Sequence, residues 1–241
     1  MACGQRADRM TAFPPELPPD LDDLDVIAGH DWSAFLALRH VDTHWQRPGW
    51  TPGRSSYHWM VTFTGCDAVH EHVAHSQRAV PTAYDRVEVE SVHLTLGRVA
   101  FTDEVPEATA LQAAQTAQRA RPRPTAFEIR FGPLTGSRGA IRFSVGPWTP
   151  LLAVHTFLAS VTREVLDGRC VMDTHQFRPH VSIAYAHSRI PVTDVAAGLR
   201  EWRAVSGPTV QVTAVELVRL ERVDRSYRHH TLERVPLLDA P

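Results

Sequence analysis

Apolar and polar residues alternate with period two over several short stretches, and between them the period lengthens to that of a helix. Tyr57, Trp59, Val61 and Phe63 alternate along one predicted strand, and a helical stretch follows over about 67–80. A second strand is expected from about Val92 to Phe101, and Pro106 opens an alanine- and glutamine-rich helix that ends before Arg121-Pro122-Arg123-Pro124. Phe127, Ile129 and Phe131 are predicted to face Ile141, Phe143 and Val145 across the Gly136-Ser137-Arg138-Gly139 turn. Thr149-Pro150 reads as N-cap and first helical residue of a helix with its buried stripe on Leu151, Val154, Leu158, Val161 and Val165, stopped at Asp167-Gly168. A strand through His180, a helix over about 193–205 and two closing strands complete the order. Ahead of all this, Met1 to Asp25 reads as a mobile leader, and Asp31 to Val41 as a short helix with Trp32, Phe35, Leu36 and Leu38 as its apolar residues. The Gly- and Pro-rich stretch 43–54 is a loop whose two tryptophans, Trp45 and Trp50, and two arginines, Arg47 and Arg54, suit a nucleobase or phosphate, or whose tryptophans simply pin it to the core. The expected fold is α+β, mostly antiparallel. A leader, short helix and loop span 1–55, and the main domain spans 56–241.

The chemistry lies in two of the strands. In His93-Leu94-Thr95-Leu96 and His180-Val181-Ser182-Ile183, a histidine is followed two positions later by a hydroxyl residue. Residues i and i+2 of a strand share a face, roughly 7 Å apart. His93 and Thr95 therefore share one face while Val92, Leu94 and Leu96 face a core, and His180 and Ser182 repeat the arrangement in front of Val181 and Ile183. Two imidazoles and two hydroxyls on core-packed strands can converge on one phosphate. Histidine, with an ordinary pKa near 6.5, serves as general base or general acid around neutrality, and the hydroxyls can donate to non-bridging oxygens. The scheme requires no metal or other cofactor. A third match, His229-His230-Thr231-Leu232, is flanked by Arg228 and His230 and is expected to be a solvated strand end.

The pair His93-Leu94-Thr95-Leu96 and Phe177-Arg178-Pro179-His180-Val181-Ser182-Ile183 resembles the signature of the two-histidine (2H) phosphoesterase superfamily, which includes the RNA 2′,3′-cyclic phosphodiesterases, or 2′-5′ RNA ligases. The Arg-Pro before the second histidine and a tail of two strands around a tyrosine, here Tyr227, fit the same group, and the resemblance covers roughly Tyr57 to Leu238. It implies a bilobal arrangement, two similar lobes of sheet with flanking helices around a central cleft. It also implies a phosphodiesterase acting on a cyclic or 2′-5′ phosphodiester of an RNA end or small nucleotide, with His93, Thr95, His180 and Ser182 catalytic. The chain departs from the usual pattern after the first motif, at Gly97-Arg98-Val99. Arg178, two residues before His180, is either a phosphate contact or a surface ion pair. Tyr185 is expected behind the site, reaching substrate only if the strand bulges, and Arg98 is expected to face away.

Composition narrows the alternatives. All 25 basic residues are arginine, so Schiff-base chemistry, pyridoxal phosphate attachment and the Walker lysine are excluded. A net charge of −2 over 241 residues argues against extended duplex nucleic acid as a partner. The expected partner is a small nucleotide or RNA-end phosphodiester, met by a monomer. No run of 18 apolar residues occurs, so a membrane span is not expected, and 1–25 lacks the apolar segment of a secretory signal. Cys3, Cys66 and Cys170 form neither a disulfide framework nor a zinc knuckle and suit a reducing cytoplasm. His70-Glu71-His72-Val73-Ala74-His75 lacks the four-residue spacing of a zincin helix and reads mostly as a solvated face. A nucleotide-binding module without turnover is the alternative function.

Overall fold

The computed structural model describes residues 13–169, 172–205 and 207–239. Cys3 and Cys170 lie outside them, and Cys66 is a free thiol.

Two antiparallel sheets make two lobes. The first has the order β11-β10-β2-β4, with β2 at Ser55–Thr62, β4 at His93–Phe101, β10 at Ala214–Val223 and β11 at Ser226–Pro236. The second has the order β3-β7-β6-β5-β9, with β3 at Tyr84–Arg86, β5 at Phe127–Gly136, β6 at Ala140–Gly146, β7 at His180–Ala186 and β9 at Thr209–Val212. A two-stranded pairing joins β1 (His40–Val41) to β8 (Ile190–Pro191). The expected closing pair is in fact three strands: the apolar run from Val210 to Leu220 breaks at Thr213, sending β9 to the edge of one sheet and β10 into the other.

Helices cover the sheets as their apolar stripes require. The helix α3 (Glu107–Arg119) buries Ala110, Ala113, Ala114 and Ala117, and α4 (Trp148–Val165) buries Leu151, Val154, Leu158 and Val161. Both pack on the first lobe, where the Trp59 indole donates to Thr162 Oγ1 at 3.0 Å. The helix α2 (Asp67–Ser76) keeps Glu71 and His75 exposed, as expected, but turns His72 partly inward. His72 stacks on Phe143 at 4.7 Å between ring centres, and His75 lies 5.1 Å from Trp202. The helix α5 (Val192–Leu199) lies on β5.

The first helix, α1, runs over Leu24–Leu36, not from Asp31. Asp23 is its N-cap, its carboxylate accepting from the Asp25 and Val26 amides. Asp31 is therefore mid-helix, facing the sheet. It is 1% exposed and pairs with Arg142 on β6 at 2.9 and 3.0 Å, and Ser144 Oγ donates to it at 2.6 Å. Burial pushes the Asp31 carboxyl up, but the Arg142 guanidinium and the hydrogen bonds from Arg142 and Ser144 outweigh that and hold it below the usual carboxylate range. Gly136 lets α1 approach this closely, since a Cβ there would overlap the Phe35 ring.

The segment ahead of α1 is tied down from residue 13 onward, unlike the expected mobile leader. Leu21 O accepts the Trp148 amide at 2.6 Å, and Asp22 Oδ1 accepts the Thr149 amide at 3.2 Å. Asp22 thus does from across the chain what Thr149 was expected to do as the N-cap of α4. No helix among the described residues is long and apolar enough to cross a membrane.

Candidate active site

The strands β4 and β7 lie against one another between the lobes, and their histidines reach the same cavity of about 190 Å³. Its lining includes His93, Thr95, His180 and Ser182, with Arg47 and Trp50 from the 43–54 loop. Val92, Leu94, Leu96, Val181 and Ile183 stand behind them in the core, as the alternation predicted. Leu94, Val181 and Ile183 are fully buried, so the backbone presenting each histidine is held by packing on its other face.

The two histidines share one local device. His93 Nδ1 lies 2.7 Å from the Ser91 carbonyl, and His180 Nδ1 lies 2.7 Å from the Arg178 carbonyl, each two residues back. A carbonyl only accepts, so each Nδ1 carries the proton and each neutral ring keeps its lone pair on Nε2. Burial lowers His93 to about 4 and His180 to about 3, the Arg142 guanidinium adding to the second. Both rings are neutral in the free protein at pH 7.

A second shared device lies just beyond the hydroxyls. Thr95 pairs with Met60 and Gly97 with Trp59, which leaves Leu96 as an extra residue. Ser182 pairs with Arg142 and Ala184 with Ile141, which leaves Ile183 as an extra residue. Each bulge falls on the third residue after the histidine and turns the fifth residue back onto the histidine's face. Tyr185 is therefore in the cavity wall, not behind it. Arg98 likewise shares the face of Thr95, correcting the expectation that it faces away; its guanidinium lies 4.4 Å over the Phe101 ring.

The remaining expected residues take distinct places. Arg47 lines the cavity and donates to His44 Nδ1 at 3.0 Å. Trp45 sits beneath, its indole donating to Asp85 at 2.8 Å and its ring packed on Tyr185 and Tyr227. Arg178 is no surface ion pair. It is 3% exposed, and it donates to the carbonyls of His175, Phe177 and Pro15 at 2.8–2.9 Å beside the adjoining pocket. His229 is not a solvated strand end either; it is half-buried, with its ring edge-on to His93 at 5.6 Å.

Of the cavity's histidines and aromatic rings, His58, His44 and Phe13 were not singled out from the sequence, while Trp50 is one of the two loop tryptophans expected over the ligand. His58, on β2, is buried and lowered to about 3 by desolvation, then by Arg98 and His93. Its position between Tyr57 and Trp59 puts it on the opposite face from the core, which was a readable signal. His44 is 6% exposed, lies tilted against the Tyr185 ring at 3.9 Å between ring centres and meets the Tyr227 hydroxyl at 3.0 Å through Nε2. Phe13 lies on His180 at 4.7 Å. Trp50 packs edge-on to Phe101 and Tyr227. His44, Phe13 and Trp50 come from loop or pre-helical segments, where no periodicity marks which side chains turn inward. Among the described residues, no group of three or more His, Cys, Asp or Glu stands where it could hold a metal ion.

A bilobal α+β fold with two hydroxyl-partnered histidine strands meeting in one cavity defines the class of paired-histidine phosphoesterases. The sequence model of the 2′-5′ RNA ligase superfamily matches residues 67–224, and the chain belongs to that family. It is accordingly a 2H-type phosphodiesterase. No curated protein matches the chain. Among solved structures, a phosphoesterase is similar at a TM-score of 0.60 and 16% identity, over 77% of this chain and 99% of that one. The protein TT0787 of Thermus thermophilus is similar at 0.58 and 20%, over 77% and 98%. LigT of E. coli, solved with 3′-AMP, is similar at 0.55 and 16%, over 76% and 98%.

Proposed function

We propose that the cavity hydrolyses a cyclic or 2′-5′ phosphodiester at an RNA end or on a small nucleotide, with His93 and His180 as paired general base and general acid. The observation that carries this reading is the common anchoring of the two rings. Each Nδ1–H is tied to the backbone just ahead of its own strand, and that leaves two Nε2 atoms for one phosphorus. Attack by water forms a P–O bond as one neutral Nε2 takes the water proton. The P–O bond to a ribose oxygen breaks as the other ring, protonated, gives its proton to that oxygen. Thr95 and Ser182 donate to the non-bridging oxygens as charge gathers there. Arg47 adds a positive charge to the same wall.

Two neutral rings offer no acid in the free protein. The phosphate anion supplies the missing condition, since a negative charge beside the rings favours their protonated form. Substrate and proton therefore bind together. That E. coli LigT was solved with 3′-AMP is in keeping with a nucleotide phosphate in such a cleft.

Because the proton transfers belong to the two imidazoles, hydrolysis of a 2′,3′-cyclic nucleotide by purified protein is expected to survive excess chelator. Loss of turnover with EDTA, restored by zinc or manganese, would contradict this reading.

A further inference from the structure

Beside the catalytic cavity, and sharing His44, Arg47 and Trp50 with it, lies a larger pocket of about 410 Å³. Three guanidinium groups line it, those of Arg47, Arg98 and Arg138. Two of them lack the usual carboxylate. Neither Arg47 nor Arg98 makes an ion pair with any described residue, and Arg47 is held only by the neutral acceptor His44 Nδ1. The guanidinium of Arg98 has no hydrogen-bond partner among the described residues. Its Nε is buried, and burial pulls its pKa down. Glu104 acts on it from a distance but is taken by Arg54 at 2.8 Å. The pocket's one carboxylate, Asp42, is engaged by Arg138 at 3.3 Å and Arg189 at 3.6 Å.

A half-buried guanidinium whose partner is only the Phe101 ring, with no hydrogen bond or carboxylate of its own among the described residues, is costly, and a bound anion would offset that cost. The bulge at Leu96 is what brings Arg98 here, on the same strand and face as Thr95. We infer that this pocket is a second phosphate subsite, and that the substrate is a nucleotide carrying a further phosphate beyond the one that reacts, such as the 5′-phosphate of the terminal nucleotide of an RNA. The inference rests on the reading of the adjoining cavity as the phosphodiesterase site. Arg47 lies between the two phosphates and Arg98 holds the second through charge-assisted hydrogen bonds. Trp50, which lines both pockets, stands where the connecting nucleoside would lie.

The test compares 3′-AMP with adenosine 3′,5′-bisphosphate by calorimetric titration of the wild type, Arg98→Gln and Arg98→Lys. The bisphosphate is expected to bind the wild type about tenfold more tightly or better at low salt, the effect of one charged hydrogen-bonded contact. That advantage should shrink with added salt, fall below about threefold in Arg98→Gln, and be partly kept in Arg98→Lys. Equal affinities in the wild type would overturn the subsite, as would an Arg98→Gln variant that weakens both ligands by one factor. In a parallel assay, 2′,3′-cyclic AMP with a 5′-phosphate should show a higher kcat/KM than the same nucleotide without it. If neither is hydrolysed, the catalytic reading fails while the affinity ratio still decides the subsite.

Discussion

An imidazole costs little to bury while it stays neutral, and the cavity is built on that fact. His93 and His180 fall to about 4 and about 3 because desolvation penalises their charged form, and the carbonyls of Ser91 and Arg178 offset only part of it. The catalytic form requires one ring charged, and in the free protein that form becomes scarcer as pH rises past these values. The profile of kcat/KM, which reports the free protein, should therefore have its alkaline limb below pH 6.5. The limb of kcat should lie higher, because the bound phosphate favours the protonated ring. A kcat/KM limb at or above that of kcat would contradict the assignment of two neutral rings. The hydroxyl partners and the histidines were legible in the sequence, since period-two alternation fixes which side chains share a face.

At the scale of elements, the same rule failed wherever a strand departed from strict alternation. Leu96 and Ile183 are ordinary apolar residues that nothing marks as bulges, yet they turn Arg98 and Tyr185 onto the face that carries His93 and His180. Arg142 and Ser144, polar positions between Ile141, Phe143 and Val145, read as the outer face of a hairpin. They are buried because α1 lies over them with Asp31, and the sequence begins that helix seven residues too late to disclose it. Removing the Asp31 carboxylate leaves the Arg142 guanidinium buried and unpaired, so Asp31→Ala should destabilise the fold by about 3–5 kcal/mol. Denaturant unfolding measures this directly, and a loss under about 1 kcal/mol would mean the pair is not buried as described. The bridge also stands under His180, so its loss should reach the pKa of that ring.

The whole molecule collects an unusual number of histidines held below their ordinary range. His44, His58, His93, His155 and His180 all lie under 6.5, each with desolvation as the first cause. Unfolded, they take up protons first as pH falls. Their contribution to stability is therefore complete above about 6.5 and is lost as pH falls below it, towards 3–4 for His58, His93, His155 and His180, with His44 acting in the same direction. One such group alone accounts for about 2 kcal/mol between pH 6.5 and 5. The unfolding free energy should thus drop by more than that between pH 7.5 and 5, and a flat profile would show that these rings are not buried neutral. The α+β class was legible in the alternation, and the bilobal arrangement through the resemblance that the two histidine strands carry. How far the 13–55 segment enters the site was not, because the contacts of Phe13, His44 and Trp50 join positions far apart in the chain and leave no local pattern.

The central claim is that His93 and His180 act as one acid–base pair on one phosphorus. Single-turnover hydrolysis of a 2′,3′-cyclic-phosphate nucleotide by His93→Ala, His180→Ala and the double variant tests it most directly. Each single substitution should lower the rate about 10²–10⁴-fold. The double variant should fall well short of the product of the two losses, because the residues act as a unit. Thr95→Ala and Ser182→Ala should cost less than either histidine. His229→Ala, touching His93 only edge-on, should cost less than about tenfold. Turnover left intact in both histidine variants, with only ligand affinity reduced, would contradict the account and leave a nucleotide-binding module in its place.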